Sequence, residues 1–294
     1  MAFGRYSSPV SEPLTTADHD RRRGGRTYAY PVVSRRARGV SLGLNLNPND
    51  ACNWRCVYCQ VPGLVYGNAP ALDLALLERE FTELLAEVLS PGWLESHAPE
   101  GSRRLNDVAI SGNGEPTSSR QLPEVLEIVA RALEAQALLA KIKVVLITNG
   151  SLVHLEHVQR SLRRLAELTG EVWFKVDSAT DAGLARLNGY AGGAARQRRN
   201  LESCARLCPT WIQTCVFTFD GQESDPAERA AYLATIAELA RARVPLRGVH
   251  LYTIARESYQ PEAPRLAAWS AEALARFARE IEAAGLPVAV ASPT

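Results

Sequence analysis

The stretch that decides the fold of this chain is short and rich in cysteine: Asp50-Ala51-Cys52-Asn53-Trp54-Arg55-Cys56-Val57-Tyr58-Cys59-Gln60. Three thiolates with the spacing C-x3-C-x2-C can hold three corners of a cubane iron–sulfur cluster, because such clusters are bound by cysteine. The run supplies no fourth cysteine, so one iron would stay open to a small molecule. The alternatives are a zinc site or buried thiols. Zinc favours paired C-x2-C motifs or added histidines, and no histidine lies nearby.

The composition indicates a folded protein with a substantial core. Of 294 residues, 46% are hydrophobic, and the net charge of +1 gives no global electrostatic case for nucleic acid or membrane. No apolar stretch reaches membrane-spanning length, and the N-terminus lacks the apolar region of a signal peptide. Six irregularly spaced cysteines are typical of reduced thiols. We therefore expect a cytoplasmic protein that has no contact with a membrane.

Positive charge is concentrated near the N-terminus. We predict that residues 1–38 form a basic extension, partly disordered or wrapped on the core. Its arginines include Arg21, Arg22, Arg23, Arg26, Arg35, Arg36 and Arg38. A solvated arm and an arm that contacts a polyanion both fit this composition.

From Gly39 onward, strand-like and helix-like runs alternate. The strands are predicted at 40–47, 107–111, 143–148, 171–177, 211–219 and 248–254, with a short last strand at 287–291. The helices are predicted at 73–89, 122–138, 155–168, 194–207, 226–242 and 271–284. This alternation predicts an α/β fold with a parallel sheet, arranged as a partial (β/α)6 TIM-like barrel over residues 39–294. In such barrels the chemistry collects at the C-terminal ends of the strands.

Two polar turns follow the second and third strands of this prediction. The first reads Ser111-Gly112-Asn113-Gly114-Glu115-Pro116-Thr117, in which glycine permits close backbone approach, proline stiffens the turn and the carboxylate can meet an ammonium group. The second reads Thr148-Asn149-Gly150-Ser151, whose hydroxyl and amide groups suit a ribose and a carboxylate. An ordinary β/α turn and a helix N-cap are the respective alternatives.

Charged side chains also mark the fourth and sixth strands. Lys175 and Asp177 share one strand face, and they either form an internal ion pair or contact ligands in the barrel mouth. Arg256, at the end of the sixth strand, either binds a carboxylate or phosphate or pairs with Glu257 or another surface acid.

The remaining cysteines are Cys204, Cys208 and Cys215. Cys204 and Cys208 are four residues apart on a predicted helix and so share a face. We favour buried small hydrophobic residues over an auxiliary cluster or zinc site.

Together these motifs resemble the radical S-adenosylmethionine (SAM) superfamily over roughly residues 39–290. The glycine-rich turn is similar to a Gly-Gly-Glu-Pro motif, with Asn113 where the first glycine is usual. The resemblance implies that Cys52, Cys56 and Cys59 hold a 4Fe–4S cluster and that Lys175, Asp177 and Arg256 serve the reaction. It implies that SAM is bound by Tyr58, Gly112, Asn113, Gly114, Glu115, Pro116, Thr148 and Asn149.

The chain looks most like iron–sulfur oxidoreductases related to wyosine tRNA-base synthases. The implied reaction is reductive cleavage of SAM, with an electron donor such as flavodoxin or ferredoxin. It gives methionine and a 5′-deoxyadenosyl radical that abstracts hydrogen from a substrate, for which a tRNA base is one candidate. The alternatives are an activase that installs a glycyl radical on a partner protein and a non-enzymatic iron–sulfur electron carrier.

Overall fold

The computed structural model describes residue 10 and residues 12–16, 20–34 and 39–291. Arg35, Arg36 and Arg38 of the predicted basic extension lie outside the described residues. The described strands are β1 Ala29–Ser34, β2 Gly39–Leu44, β3 Ala51–Cys52, β4 Val65–Tyr66, β5 Leu105–Ile110, β6 Lys143–Thr148, β7 Glu171–Lys175, β8 Thr210–Phe219, β9 Leu246–Thr253, β10 Leu266–Ala268 and β11 Val288–Ala291. The described helices are α1 Leu74–Val88, α2 Trp93–His97, α3 Leu122–Ala135, α4 Glu156–Glu167, α5 Asp181–Asn188, α6 Ala194–Leu207, α7 Pro226–Arg241 and α8 Ala271–Ala283.

The main sheet has the order β1-β2-β5-β6-β7-β8-β9-β11. Its strands from β2 to β9 pair in parallel, and β11 adds to β9 in the same direction. Helices follow β2, β5, β6, β7, β8 and β9 along the chain, which confirms the predicted partial barrel of six β/α units. The ends of these parallel strands therefore meet at one mouth, where the polar turns lie.

The strands and helices form because apolar residues recur at the expected spacing and polar residues cap the helix starts. Strands β2 and β5 are mostly buried, as parallel strands covered on both faces are. Helices α1, α7 and α8 begin after side chains that accept from the first turn, namely Asp73, Asp225 and Ser270. The apolar faces of α1, α3, α4 and α8 pack on the outside of the sheet in one continuous core.

Strand β1 was not predicted, and it lies within the segment that we interpreted as an extension. It pairs antiparallel with β2, with Pro31 opposite Leu42. An edge strand tolerates proline, because one side of its ladder needs no donor. The buried Glu80 of α1 accepts hydrogen bonds from the backbone N–H groups just before and at the start of β1, at 2.7–3.3 Å. The boundary predicted at residue 38 stays a prediction.

Within the described ranges, no helix has both the length and the apolar character that a membrane span requires.

Candidate functional site

The cysteine loop, defined here as residues 52–59, is held from one side by α5. Val57 N donates to Leu187 O and Arg55 N to Asn188 O, each at 2.9 Å. These are the last carbonyls of a helix, which have no acceptor role inside the helix itself. The loop is therefore fixed by a structural element that the sequence analysis did not predict.

The segment after β9 holds the other side of the cysteine loop. Tyr259 N donates to Cys59 O at 3.0 Å, and Ser258 Oγ donates to Val57 O at 2.8 Å. Arg55 pairs with Glu262 at 2.8 Å. The chain thus brings its first and last β/α units together around the three cysteines.

A cavity of about 270 Å³ opens inside the barrel mouth. It brings together all of the predicted site residues except Pro116 and Asp177: Cys52, Cys56, Cys59, Tyr58, Gly112, Asn113, Gly114, Glu115, Thr148, Asn149, Lys175 and Arg256. Pro116 begins a short 3-10 helix, Pro116–Ser118, directly behind the turn. Asp177 lies behind the wall, in an adjoining cavity of about 150 Å³. Residues from separate sequence motifs therefore line one cavity, and their roles toward a cofactor or substrate stay a prediction.

The three cysteines of the loop are half-buried free thiols. Burial raises the pKa of the Cys56 thiol to about 12 and raises that of Cys52 further. Among the described side chains, no group of three or more His, Cys, Asp and Glu residues converges on a single metal ion. A cubane cluster makes a different demand, because each cysteine binds a different iron.

The turn after β5 lies directly against the cysteine loop, and its glycines make this approach possible. A Cβ on Gly114 would lie 1.9 Å from Ala51 O, and one on Gly112 would lie 2.2 Å from Asn45 Oδ1. No side chain fits at either position without moving backbone or a buried amide. Gly114 therefore serves the junction of the turn with the residue before the cysteine loop, and Gly112 serves its packing on Asn45.

Glu115 is 2% exposed and ties two strand ends together. Its Oε1 accepts from Thr117 N at 3.1 Å, Thr117 Oγ1 at 2.6 Å and Thr148 Oγ1 at 2.5 Å. Its Oε2 accepts from Asn149 N at 2.6 Å. Burial raises the pKa of Glu115, and these hydrogen bonds oppose the rise. The expected contact with a SAM ammonium group stays a prediction, while the tie between β5 and β6 is a finding.

Asn113 links the glycine-rich turn to the N-terminal segment. Its Nδ2 donates to the Asp50 carboxylate, and its Oδ1 accepts from Arg21 Nη1 at 2.7 Å. Arg22 pairs with the same Asp50 at 3.1 Å. Arg26 is buried and pairs with Glu87 at 2.7 Å. Arg21, Arg22 and Arg26 thus contact the folded core, and whether the arm is solvated or contacts a polyanion stays a prediction.

The turn after β6 contacts the cysteine loop through Asn53. Asn149 Nδ2 donates to Asn53 Oδ1, and Asn53 Nδ2 donates to Ser151 Oγ, both at 2.8 Å. Thr148 Oγ1 also accepts from Gly150 N at 2.9 Å. The hydroxyl and amide groups predicted to meet a sugar are therefore held in a fixed arrangement at the cavity wall.

Lys175 and Asp177 form an internal ion pair, with Lys175 Nζ 3.8 Å from Asp177 Oδ2. The Tyr58 hydroxyl lies between them: it accepts from Lys175 Nζ at 2.7 Å and donates to Asp177 Oδ2. Burial is the largest influence and disfavours the ammonium form. The charge of Asp177, together with those of Tyr252, Cys56 and Cys215, outweighs it and holds the pKa of Lys175 well above its ordinary value. The structure thus contains the internal ion pair that was one of the two predicted alternatives. A contact between Lys175 and a ligand in the cavity stays a prediction.

Arg256 lies at the cavity mouth, where its Nη2 donates to Thr16 O at 2.7 Å. It joins the N-terminal segment to the end of β9. Its role toward a carboxylate or phosphate stays a prediction.

The other three cysteines are buried. Cys204 and Cys208 lie in the hydrophobic core, where Cys204 Sγ is 3.6 Å from Thr210 Oγ1 and Cys208 Sγ is 3.8 Å from Gly170 O. Cys215 lies apart from them in the cavity wall, beside Val57 and Phe217. This arrangement favours small hydrophobic residues over a shared cluster.

Sequence reasoning missed Arg21, Asn45 and Asn188, which all touch the site. Each sits outside a recognisable motif, and its contacts depend on segments far away in the chain. Only the asparagine that ends a helix before Gly189 offered a signal, because glycine is common just after a helix end.

The sequence profile of the Radical SAM superfamily matches residues 46–229, more than half of the chain. Two curated relatives are 29% identical over 160 residues and 25% identical over 132 residues. The first is the UPF0026 protein MJ1312 of Methanocaldococcus jannaschii, with 53% of this chain and 42% of that protein covered. The second is the GTPase Obg of Brachyspira hyodysenteriae, with 45% and 17% covered. The chain spans less than half the length of either relative.

Solved structures share the fold at low sequence identity. TYW1 with a lysine-pyruvate adduct has a TM-score of 0.52 at 15% identity, with 84% of this chain and 74% of that chain covered. A radical SAM methyltransferase from Sphaerobacter thermophilus has a TM-score of 0.50 at 17% identity, with 86% and 66% covered. A spore photoproduct lyase mutant with bound AdoMet has a TM-score of 0.52 at 12% identity, with 83% and 74% covered. These likenesses show the fold alone.

Proposed function

The chain belongs to the radical SAM superfamily, and on that premise we propose that it cleaves SAM reductively to start hydrogen abstraction from a substrate. It is an enzyme whose cofactors are a 4Fe–4S cluster and SAM. When bound, these groups supply a 5′-deoxyadenosyl radical. The chain's own residues bind them, orient the substrate and exclude water.

One observation carries this proposal: three half-buried thiols and the two polar turns line the same cavity. The residues fit the cofactors, because Cys52, Cys56 and Cys59 give three thiolates in one loop. The turns at Gly112–Glu115 and Thr148–Asn149 present backbone and polar groups to the space beside them. We assign the three cysteines to the cluster and the two turns, with Tyr58, to SAM.

Metal analysis tests the cluster. Anaerobically reconstituted protein is expected to hold about four iron and four sulfide per chain. The Cys52→Ala, Cys56→Ala, Cys59→Ala triple variant should hold none. The matched control replaces Cys204, Cys208 and Cys215 by Ala and should keep nearly all of the iron. Full iron in the first variant would refute the assignment, and loss of half the iron in the second would indicate an auxiliary cluster.

SAM cleavage tests the activity. Reduced, cluster-loaded protein should convert SAM to methionine and 5′-deoxyadenosine slowly without substrate. A loaded and reduced sample that binds no SAM would instead favour the electron carrier.

For the substrate we propose a tRNA base. Two exposed aromatic residues flank the cysteine loop: Tyr66, 84% exposed, pairs with Cys52 in the β3–β4 ribbon, and Tyr259, 60% exposed, is bonded to Cys59. Unpaired RNA bases are recognised by stacking on such rings. Arg55, in the loop itself, is exposed beside them, and its pairing with Glu262 offsets its charge, so stacking carries this proposal.

Binding of tRNA at several salt concentrations tests this substrate class. We expect affinity that falls with salt, and a several-fold loss of affinity in the Tyr66→Ala and Tyr259→Ala variants. Leu89→Ala, at an exposed apolar residue of α1's end, serves as the control. The activase would be favoured by a different result: no tRNA binding, and 5′-deoxyadenosine formation that is stimulated by a partner protein that receives a glycyl radical.

A further inference from the structure

Asn188 joins a cluster ligand to the buried ion pair behind the cavity. It is the last residue of α5 and is completely buried. Its Nδ2 lies 3.3 Å from Cys56 Sγ and 2.8 Å from Asp177 Oδ2. A side-chain amide carries two N–H groups, so it can serve both acceptors at once.

The surroundings fix which way this amide points. The Asp177 carboxylate oxygen beside Nδ2 can only accept, and the Cys56 sulfur accepts once it is a cluster thiolate. An amide oxygen in the same place would therefore be repelled. Asn188 Oδ1 is buried and has no hydrogen-bond partner among the described residues. Such an orphaned acceptor is unfavourable, so the donor side sets the position of the residue.

The backbone of Asn188 holds the same loop as its side chain. Its carbonyl accepts from Arg55 N at 2.9 Å, and the preceding carbonyl, Leu187 O, accepts from Val57 N at 2.9 Å. Both neighbours of Cys56 are thereby bonded to the end of α5. Three hydrogen bonds between the end of α5 and residues 55–57 therefore restrict movement of Asn188 relative to Cys56.

We propose that Asn188 is a positioning residue that raises the reduction potential of the cluster through its hydrogen bond to Cys56, with Asp177 holding the amide in place. The inference rests on the proposed cluster. Donation to a ligand sulfur withdraws electron density and favours the reduced, more negative cluster. The step affected is transfer of one electron from an external donor to the cluster, and no bond at Asn188 is made or broken.

Two variants and a matched control test the inference. Asn188→Leu removes the donor at similar size, and Asn188→Asp keeps the size but replaces the donor by an acceptor. Asn200→Ala is the control, because Asn200 is a buried asparagine whose Nδ2 instead donates to Gly150 O at 2.9 Å and Ser151 O at 3.3 Å. Each protein is reconstituted anaerobically to matched iron content, and the midpoint potential is measured by a redox titration followed by electron paramagnetic resonance.

We expect a lower midpoint potential in both Asn188 variants and an unchanged one in Asn200→Ala. An unchanged potential in a fully loaded Asn188→Leu protein overturns the inference. If neither variant retains iron, electron–nuclear double resonance decides, on protein that keeps Asn188 and carries amide-15N asparagine. It is recorded in the Asn53→Ala background, because Asn53 is the one asparagine within the cysteine loop. A 15N coupling to the reduced cluster supports the hydrogen bond, and its absence overturns it.

The two proposals fail in distinguishable ways. Wild-type protein that takes up no iron would refute the proposed function. A loaded cluster whose midpoint potential does not change when Asn188 is replaced would refute this inference alone.

Discussion

At the scale of single residues, the role predicted for Glu115 from the sequence differs from the contacts that it makes in the structure. Its place after two glycines predicts a ligand contact. In the structure, its carboxylate is already bonded to the turn after β5 and to the end of β6. One sequence cannot reveal this, because two of the four donors come from a segment more than thirty residues away.

We predict that Glu115→Gln weakens SAM binding and also lowers the free energy of unfolding, by roughly 1–3 kcal/mol. A glutamine replaces one carboxylate oxygen by an NH2 group, so a donor then faces the N–H and O–H donors that the carboxylate accepted from. Iron content should stay unchanged, because the hydrogen bonds that the Glu115 carboxylate accepts come from Thr117, Thr148 and Asn149 and not from the cysteine loop. SAM titration and urea denaturation at matched iron content measure the two effects. If Glu115→Gln binds SAM as tightly as the wild type but is less stable, Glu115 has only a structural role, which is to connect the ends of β5 and β6.

Removing one partner of the Lys175–Asp177 ion pair is predicted to lower the free energy of unfolding more than removing both partners. Asp177→Asn leaves an ammonium group that is only 17% exposed beside a neutral side chain. We expect a loss of about 3–5 kcal/mol in unfolding free energy, part of which a second change, Lys175→Met, should recover. Denaturation of the four proteins of this cycle measures the coupling. Strictly additive effects would contradict an energetically linked pair.

The same pair gives a prediction about pH. The folded pKa of Lys175 lies above its ordinary value. Its stabilising contribution is therefore fully present below the unfolded pKa and is lost only as pH rises through the folded pKa. The stability difference between wild type and Lys175→Met should accordingly stay constant from about pH 6 to pH 9. A difference that shrinks within this range would show that the lysine is not held in its charged form.

At the scale of elements, the sequence predicts the regular parts well. The predicted helix at 194–207 has the same bounds as α6, and the strand at 143–148 has the same bounds as β6. Helix α6 buries Leu201, Cys204 and Ala205 at helical spacing, whereas β6 is a short continuous apolar run at residues 144–147. Helix α5 and strand β1 were missed for physical reasons: α5 is eight residues long and contains a glycine, and β1 contains a proline within an arginine-rich segment.

The junction of the cysteine loop with the turn after β5 gives an element-scale prediction. Gly114→Ala would place a Cβ 1.9 Å from Ala51 O, so the loop or the turn must move. We expect the variant to lose most of its iron on gel filtration after reconstitution. Gly67→Ala is the matched control in the adjoining ribbon, because its Cβ would lie 3.4 Å from Ala51 Cβ, an ordinary contact. Similar iron retention in both variants would show that the junction is not needed for the cluster.

At the scale of the whole molecule, the cavity is lined by residues from nearly the full described length, from Arg21 before β1 to Ala291 in β11. The sequence placed the chemistry at strand ends but could not show that both edges of the sheet face one space. That fact depends on the curl of the sheet and on contacts such as Arg256 with Thr16, which join segments 240 residues apart. A ligand in this cavity therefore contacts parts of the chain that are otherwise far apart.

We predict that SAM stabilises cluster-loaded protein as a whole, by about 2.7 kcal/mol at a free concentration one hundred times its dissociation constant. Because the cavity wall includes both sheet edges, amide hydrogen exchange should slow in the segment around Arg21 and in β11 as well as in the turns after β5 and β6. Thermal denaturation and exchange measured with and without SAM test this. Cluster-loaded Glu115→Gln protein, with its weaker predicted affinity, should need more SAM for the same protection. Protection confined to the two turns would mean that SAM occupies only their side of the cavity and leaves the edges of the sheet independent.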